Sequence, residues 1–111
     1  NLIGLTTIAQ LANVIKKAKM FIGVDSFPMQ IAQCLGTPGF AFFGSVNPNN
    51  ILCLNKNSIK PIYNTSLDCI GCHNNKPYPA VNNASCPRGD LACETTIMPE
   101  DFLKNILELK I

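Results

Sequence analysis

The sequence predicts an α/β fold built on a parallel sheet. Two apolar runs without polar alternation, at residues 20–24 and 39–43, are typical of strands that are covered on both faces. A segment with helical spacing lies between them and is joined to both by short connections. A strand, a helix and a second strand in this order form a right-handed parallel crossover, which is the repeating unit of α/β proteins.

An amphipathic helix is predicted before the first strand. Apolar residues recur at helical spacing from Ile8 to Ala18, and three lysines lie at the carboxyl end, where positive charge favours the helix dipole. We expect Thr6 or Thr7 to be the N-cap, because a hydroxyl at that position accepts a hydrogen bond from the first turn. The chain therefore enters its first strand from a helix.

The remaining elements of the first half are predicted from their start and stop signals. The second helix covers about residues 27–35, with Pro28 in its first turn and Gly36 at its end. Residues 45–57 are rich in Asn, contain Pro48 and are predicted to form an ordered loop. A further strand over residues 59–63 contains a proline, which restricts it to an edge or an irregular position.

The chain divides into three predicted parts. Residues 1–63 carry the alternating helices and strands. Residues 64–97 are rich in Cys, Pro and Asn and lack periodicity, so they need a cross-link to hold a shape. Residues 98–111 form a closing helix, predicted from its apolar spacing and its Pro-Glu-Asp start, and belong to the same domain as the first part.

Composition limits the classes of protein to which the chain can belong. At 111 residues it forms one domain at most, and 47% hydrophobic residues are enough for a core. A net charge of +2 without a basic block gives no support for nucleic-acid binding. The absence of an initiator Met, a leader and a long apolar run predicts a soluble piece of a longer protein, without its own targeting signal.

A ligand site is predicted at the carboxyl end of the first strand. Ligands of parallel sheets bind where helices begin, because free N–H groups and the helix dipole favour a diphosphate there. Asp25 could accept hydrogen bonds from sugar hydroxyls and Ser26 could donate to phosphate, although either could equally be a simple N-cap. Gly4, Thr6 and Thr7 repeat the pattern before the preceding helix and could reach the same ligand.

Several longer motifs accompany these residues. Residues 23–32 read GVDSFPMQIA, residues 35–38 read LGTP, and residues 42–44 read FFG. Residues 2–7 add LIGLTT before the first helix. Together they resemble the C-terminal domain of glycosyltransferase family nine, the heptosyltransferases, whose pattern is D-S/T-G-P-M-H, then L-G-T-P and an apolar strand ending in F-G. The resemblance covers residues 1 to about 55.

The resemblance implies the nucleotide-sugar-binding half of a two-domain GT-B enzyme, with a Rossmann-like sheet. The family's motif Asp contacts the donor sugar, which assigns that role to Asp25. Its Ser/Thr and helix N-terminus face the diphosphate, which assigns this role to Ser26 and, less directly, to Thr6 and Thr7. No catalytic metal is implied.

Two residues of the motif depart from the family pattern. Phe27 stands where Gly is usual and narrows the space beside the phosphates. Gln30 stands where His is usual, so a neutral side chain replaces a protonatable one. Gln30 can still hydrogen-bond a phosphate oxygen. Both departures leave the identity of the donor open.

The resemblance also implies partners and a location. The family's catalytic base lies in an N-terminal domain that this chain lacks, so the chain alone is expected to bind a donor but not to turn it over. The acceptor would be a glycan, a lipopolysaccharide or a protein, a homo-oligomer is possible, and the enzyme would work in the bacterial cytoplasm. Two alternatives stay open: a non-enzymatic metal-knuckle interaction module and a degenerate, non-catalytic homologue.

Four cysteines form a C-x2-C…C-x6-C cluster: Cys69, Cys72, Cys86 and Cys93. Four thiolates suit a structural zinc or iron ion, and a C-x2-C pair forms a tight knuckle around it. Some relatives of the family carry a comparable cysteine-ligated metal finger. His73 could replace one thiolate. Such a closed site would brace the irregular part of the chain and would perform no chemistry.

Two other states of these cysteines remain possible. Two disulfides would require an oxidising compartment, and free thiols would leave the segment without a cross-link. The other two cysteines count modestly against full pairing. Of these, Cys34 lies within the second predicted helix, where we expect a small buried thiol, and Cys53 lies in the predicted loop.

Overall fold

The computed structural model describes two compact units and covers residues 1–52, 58–74 and 86–108. The first unit comprises residues 1–42 and 48–61, and the second comprises residues 43–47 and 62–111. Cys53 and the last three residues of the predicted closing helix lie outside the described residues. The three-part division given above stays a prediction.

Helices and strands alternate through the first unit, as predicted for an α/β chain. The described strands form one parallel sheet in the order β1-β2-β3, in which Phe21 of β1 is opposite Gly39 of β2. The strand with the internal proline stands at one end of this described sheet, as expected. The elements are α1 (Ile8–Lys17), β1 (Phe21–Val24), α2 (Phe27–Leu35), β2 (Gly39–Phe42), α3 (Pro48–Ile51) and β3 (Ile59–Ile62).

The two long helices of the first unit begin and end at the predicted signals. Thr7 caps α1 through a capping box: the Gln10 N–H donates to Thr7 Oγ1 at 3.3 Å, and the Thr7 N–H donates to Gln10 Oε1 at 2.8 Å. α2 has Pro28 in its first turn and ends at Gly36, whose φ of 70° is left-handed. Glycine adopts this conformation without steric cost, which is why the helix stops there.

The core of the first unit lies between its helices and its sheet. β2 is buried, as predicted, but β1 is not covered on both faces in the described structure: Ile22 and Val24 are 51% and 54% exposed. Ile22 and Val24 alternate with the half-buried Phe21 and Gly23, so they share one face of β1, which the described residues leave exposed. Cys34 is exposed, contrary to the expectation of a buried thiol, because it faces away from the packed side of α2. Fully buried core residues are Met29, Ala32, Phe40, Ala41 and Ile59.

The predicted loop at residues 45–57 contains a short helix in its described part. α3 begins at Pro48, and the Leu52 N–H donates to the Pro48 carbonyl at 2.8 Å. Pro is favoured in the first helical turn, where its missing N–H removes no helical hydrogen bond. One turn of helix is too short to give an apolar period, so the sequence pattern did not reveal it.

The second unit is held together by hydrogen bonds between segments distant in sequence. The Phe43 N–H donates to the Ile62 carbonyl and the His73 N–H to the Ser45 carbonyl, both at 2.9 Å. The helices among its described residues are the 3₁₀ turn Cys72–Asn74, α4 (Ala92–Thr95) and α5 (Pro99–Glu108). α5 confirms the predicted closing helix as far as the described residues extend. Among the described helices, none combines the length and apolar character needed to cross a membrane.

Candidate functional site

The N-termini of α1 and α2 lie at the same edge of the first unit. The two helices pack against each other, and the Thr37 hydroxyl, which follows α2, donates to the carbonyl of Ile15 in the last turn of α1 at 3.1 Å. This hydrogen bond joins their carboxyl ends. With 10 and 9 residues the helices are of nearly equal length, about 14–15 Å. Their N-termini, with the predicted site residues, therefore lie at the carboxyl edge of the strands.

Asp25 occupies the first position after β1. Its N–H donates to the Phe42 carbonyl at 3.2 Å, which continues the β1–β2 ladder by one residue and fixes the Asp25 backbone at the end of the sheet. The side chain is half-buried, and within the described residues its carboxylate has no hydrogen-bond partner. A carboxylate fixed in place with its acceptor sites free can bind hydroxyl groups.

Ser26 is the N-cap of α2 by position, but its side chain does not cap the helix. The hydroxyl donates back to the Val24 carbonyl at 3.3 Å, and it makes no cap hydrogen bond. The simple N-cap interpretation of Ser26 is therefore wrong for its side chain. A hydroxyl whose proton is used in this way keeps its oxygen lone pairs as acceptors.

Few N–H groups remain free at the start of α2. Met29 and Gln30 both donate to the Ser26 carbonyl, at 3.0 and 3.2 Å. Pro28 has no N–H. In the described part of the chain, the N–H groups of Ser26 and Phe27 have no partner, so these two are the backbone donors that a ligand at this helix could use.

Phe27 projects from the start of α2 into solvent. Its side chain is 56% exposed, so the core does not hold it. The predicted narrowing of space beside the phosphates is not tested by this exposure. The ring is, however, adjacent to the free N–H groups, and any ligand that reaches them passes close to it.

The residues at the start of α1 differ in how many of their hydrogen-bonding groups are already used within the protein. The Thr7 hydroxyl and N–H are both used in the capping box, whereas Thr6 is half-buried and its side chain makes no hydrogen bond within the described residues. Gly4 has a φ of 72° and forms a turn in which the Leu5 N–H donates to the Leu2 carbonyl at 3.0 Å. Of these three residues, Thr6 has the side chain most available to a ligand.

Gln30 lies in the second turn of α2 beside a polar residue that the sequence analysis missed. Gln33 Nε2 donates to Gln30 Oε1 at 3.2 Å and to the Ile51 carbonyl at 3.4 Å. Gln33 is only 1% exposed. Its position four residues after the core residue Met29 was the available signal, because residues four apart share one face of a helix.

A comparison with protein families adds an observation independent of this geometry. The model of glycosyltransferase family 9 (heptosyltransferase) matches residues 1–80, which include every residue of the candidate site. The chain belongs to glycosyltransferase family 9. No curated protein and no solved structure matches it. The family match also includes Cys69 and Cys72, but it ends before Cys86 and Cys93.

The four clustered cysteines lie in the second unit of this family 9 chain, and all are free thiols in the described structure. Burial, followed by the charges of Cys69 and Cys86, raises the pKa of Cys72. Burial also raises the pKa of Cys93. Among the residues described, no three His, Cys, Asp or Glu side chains stand in a metal-binding arrangement, so the structure does not confirm the predicted metal site.

Two details of the cysteine segments nevertheless suit a thiolate-binding ion. Gly71, between Cys69 and Cys72, has a φ of 77°, a left-handed conformation that glycine adopts without steric cost and that suits a tight turn between the two thiols. Hydrogen bonding from the backbone N–H of Leu91, helped by those of Arg88, Gly89 and Asp90, lowers the pKa of the Cys86 thiol, although burial of the sulfur opposes this effect. N–H groups directed at a sulfur stabilise its thiolate form, which is the form that binds metals.

Proposed function

We propose that this chain supplies the donor-binding part of a glycosyltransferase that transfers a sugar from a nucleoside diphosphate to a glycan, lipopolysaccharide or protein acceptor. The observation that carries the proposal is the position of Asp25. Its carboxylate is half-buried at the end of β1, has no partner among the described residues, and lies beside the start of α2 in a family 9 chain. We expect the enzyme to act in the bacterial cytoplasm.

Each site residue has a distinct proposed role. The Asp25 carboxylate accepts hydrogen bonds from hydroxyls of the donor sugar. The N–H groups of Ser26 and Phe27, together with the positive end of the α2 dipole, bind the diphosphate. Gln30 donates to a phosphate oxygen from its side-chain amide. At the start of α1, Thr6 contacts the same ligand, and Gly4 and Thr7 shape the turn and cap that hold Thr6 in place.

Titration calorimetry of the full-length protein with ADP- and UDP-sugars tests this assignment. Asp25→Ala should weaken binding of the cognate donor about tenfold or more, since a hydrogen bond to a charged group contributes about 1.5–3 kcal/mol. Asp25→Asn can still accept hydrogen bonds but has no charge, so it should lose less affinity for the donor than Asp25→Ala. Asp68→Ala removes an exposed carboxylate of the second unit and is the matched control.

The outcomes separate the proposed function from its alternatives. Unchanged donor binding in Asp25→Ala would remove this residue from the site. If the wild-type protein bound no nucleotide sugar, a non-enzymatic interaction module or a degenerate homologue would be the better interpretation. Donor binding without transfer to any acceptor would favour the degenerate homologue alone.

We also propose that Cys69, Cys72, Cys86 and Cys93 hold a structural zinc or iron ion in the second unit. The left-handed Gly71 and the N–H groups around the Cys86 sulfur support this proposal. When bound, the ion would cross-link two segments that are distant in sequence. Metal analysis of protein purified under reducing conditions tests it: less than about half an equivalent of zinc plus iron would contradict a single four-thiolate site.

A further inference from the structure

The side-chain amide of Gln33 is buried in the first unit with only one of its two polar atoms satisfied. Nε2 donates to Gln30 Oε1 and to the Ile51 carbonyl, whereas Oε1 is buried and has no hydrogen-bond partner among the described residues. Buried polar atoms without partners are rare in proteins, because each loses its hydrogen bonds to water. The buried, unpaired Oε1 of Gln33 is therefore unusual, and it indicates that other contacts fix the orientation of this amide.

The Ile51 carbonyl determines which way this amide faces. A carbonyl oxygen can only accept a hydrogen bond, so the Gln33 atom that faces it must be the donor Nε2. The same Nε2 then requires an acceptor from Gln30, which must turn Oε1 toward it. Gln33 thus dictates the orientation of the Gln30 amide through a chain of two hydrogen bonds that begins at the backbone.

The consequence concerns the remaining atom of Gln30. With Oε1 held by Gln33, Nε2 of Gln30 has no partner within the described structure and keeps both of its hydrogens. The residue lies one turn after the free N–H groups of Ser26 and Phe27 and is only partly buried. An amide free to rotate would present its oxygen as readily as its nitrogen, and the oxygen would repel an anion.

We propose that Gln33 is a positioning residue that fixes the Gln30 amide so that Gln30 Nε2 donates to the diphosphate of a bound nucleotide sugar. This inference rests on the proposed function and deepens it. The neutral Gln30 acts as a dedicated donor because its neighbour removes the alternative orientation. Gln33 itself does not touch the ligand.

The experiment measures binding of UDP, ADP, uridine and adenosine to full-length protein. Gln33→Met keeps the size of the side chain and removes both hydrogen bonds. It should weaken binding of the cognate nucleoside diphosphate about tenfold, while binding of the matching nucleoside stays unchanged. In a Gln30→Ala background the same substitution should have no further effect, because the group it orients is gone.

Each outcome decides between a positioning role and a structural one. An equal loss for the diphosphate and the nucleoside, or an undiminished loss in the Gln30→Ala background, would overturn the inference. If wild-type protein binds neither UDP nor ADP, the proposed function fails as well. If wild-type protein binds the diphosphate and Gln33→Met binds it equally well, only the role of Gln33 fails.

A second variant keeps the inference testable if Gln33→Met does not fold. Gln30→Glu retains an acceptor for Gln33 Nε2 but presents a carboxylate oxygen where the free Nε2 stood. This variant should lose diphosphate binding at least as strongly as Gln30→Ala and retain nucleoside binding. Diphosphate binding at the wild-type level in Gln30→Glu would show that Gln30 Nε2 does not contact the phosphates.

Discussion

The Thr37 hydroxyl donates to the Ile15 carbonyl at 3.1 Å in a buried position, and this bond joins the carboxyl ends of α1 and α2. Thr37 is only 4% exposed, and Ile15 is a core residue. This bond lies at the opposite end of the helix pair from the N-termini that carry the candidate site residues. The LGTP motif thus joins the two helices at the end away from these residues.

Thr37→Val should destabilise the protein by about 1 kcal/mol, the usual net contribution of one buried hydrogen bond. The loss stays moderate because the Ile15 carbonyl also accepts the Ala18 N–H at 3.1 Å and is not left unpaired. Chemical denaturation of the two proteins measures the difference. Thr37→Ser keeps the hydroxyl and is the control; if it lost as much stability as Thr37→Val, the hydrogen bond would not be the cause.

Gly39 of β2 lies directly against the backbone of Phe21 in β1. A Cβ atom at this position would overlap the carbonyl oxygen of Phe21, which belongs to the backbone and cannot rotate away. Gly39→Ala should therefore destabilise the protein by about 3 kcal/mol or prevent folding, as overpacking against backbone does. Gly44→Ala is the control, since its Cβ would meet its nearest atom, the Cys93 sulfur, at 3.4 Å. Similar denaturation midpoints for the two variants would contradict the close approach.

The sequence predicted most of the first unit because its signals are local. α2 has the predicted limits, since Pro28 and Gly36 act through their own backbone conformations. The exposure of β1 could not be predicted in this way. Burial of a strand depends on which elements cover it, and the apolar composition of Ile22 and Val24 is the same whether or not they are covered.

The candidate site was predictable as a location but not as a set of hydrogen bonds. Asp25 and Ser26 follow a strand, and that position is encoded in the order of elements. The direction of the Ser26 hydroxyl, back to Val24, is decided by local geometry that the sequence does not display. Gln33 was missed because a polar residue in a helix usually faces solvent, and its four-residue spacing from Met29 indicates burial only once the packed face of α2 is known.

Phe27 should affect ligand binding without affecting stability. The side chain is 56% exposed, so Phe27→Ala should change the free energy of unfolding by no more than about 0.5 kcal/mol. If the ring narrows the space beside the phosphates, its removal should change the ratio of the affinities for the nucleoside diphosphate and for the bare nucleoside. Calorimetry with both ligands measures this ratio. Leu35→Ala, at the other end of α2 and also exposed, should leave it unchanged.

Cys86 and Cys34 form a matched pair for testing the proposed metal site. Cys86 belongs to the four-cysteine cluster and its sulfur faces backbone N–H groups, whereas Cys34 is exposed on α2 outside the cluster. A four-thiolate site that loses one ligand binds its ion far less tightly, so Cys86→Ser should reduce the metal content from about one equivalent to well below half. Cys34→Ser should retain the full amount. Because the ion would cross-link two parts of the second unit that are distant in sequence, chelation should make this unit more sensitive to protease in the wild type and in Cys34→Ser alike. Equal metal content in Cys86→Ser and the wild type would contradict ligation by Cys86, and protease resistance that persisted after chelation would contradict a structural role for the ion.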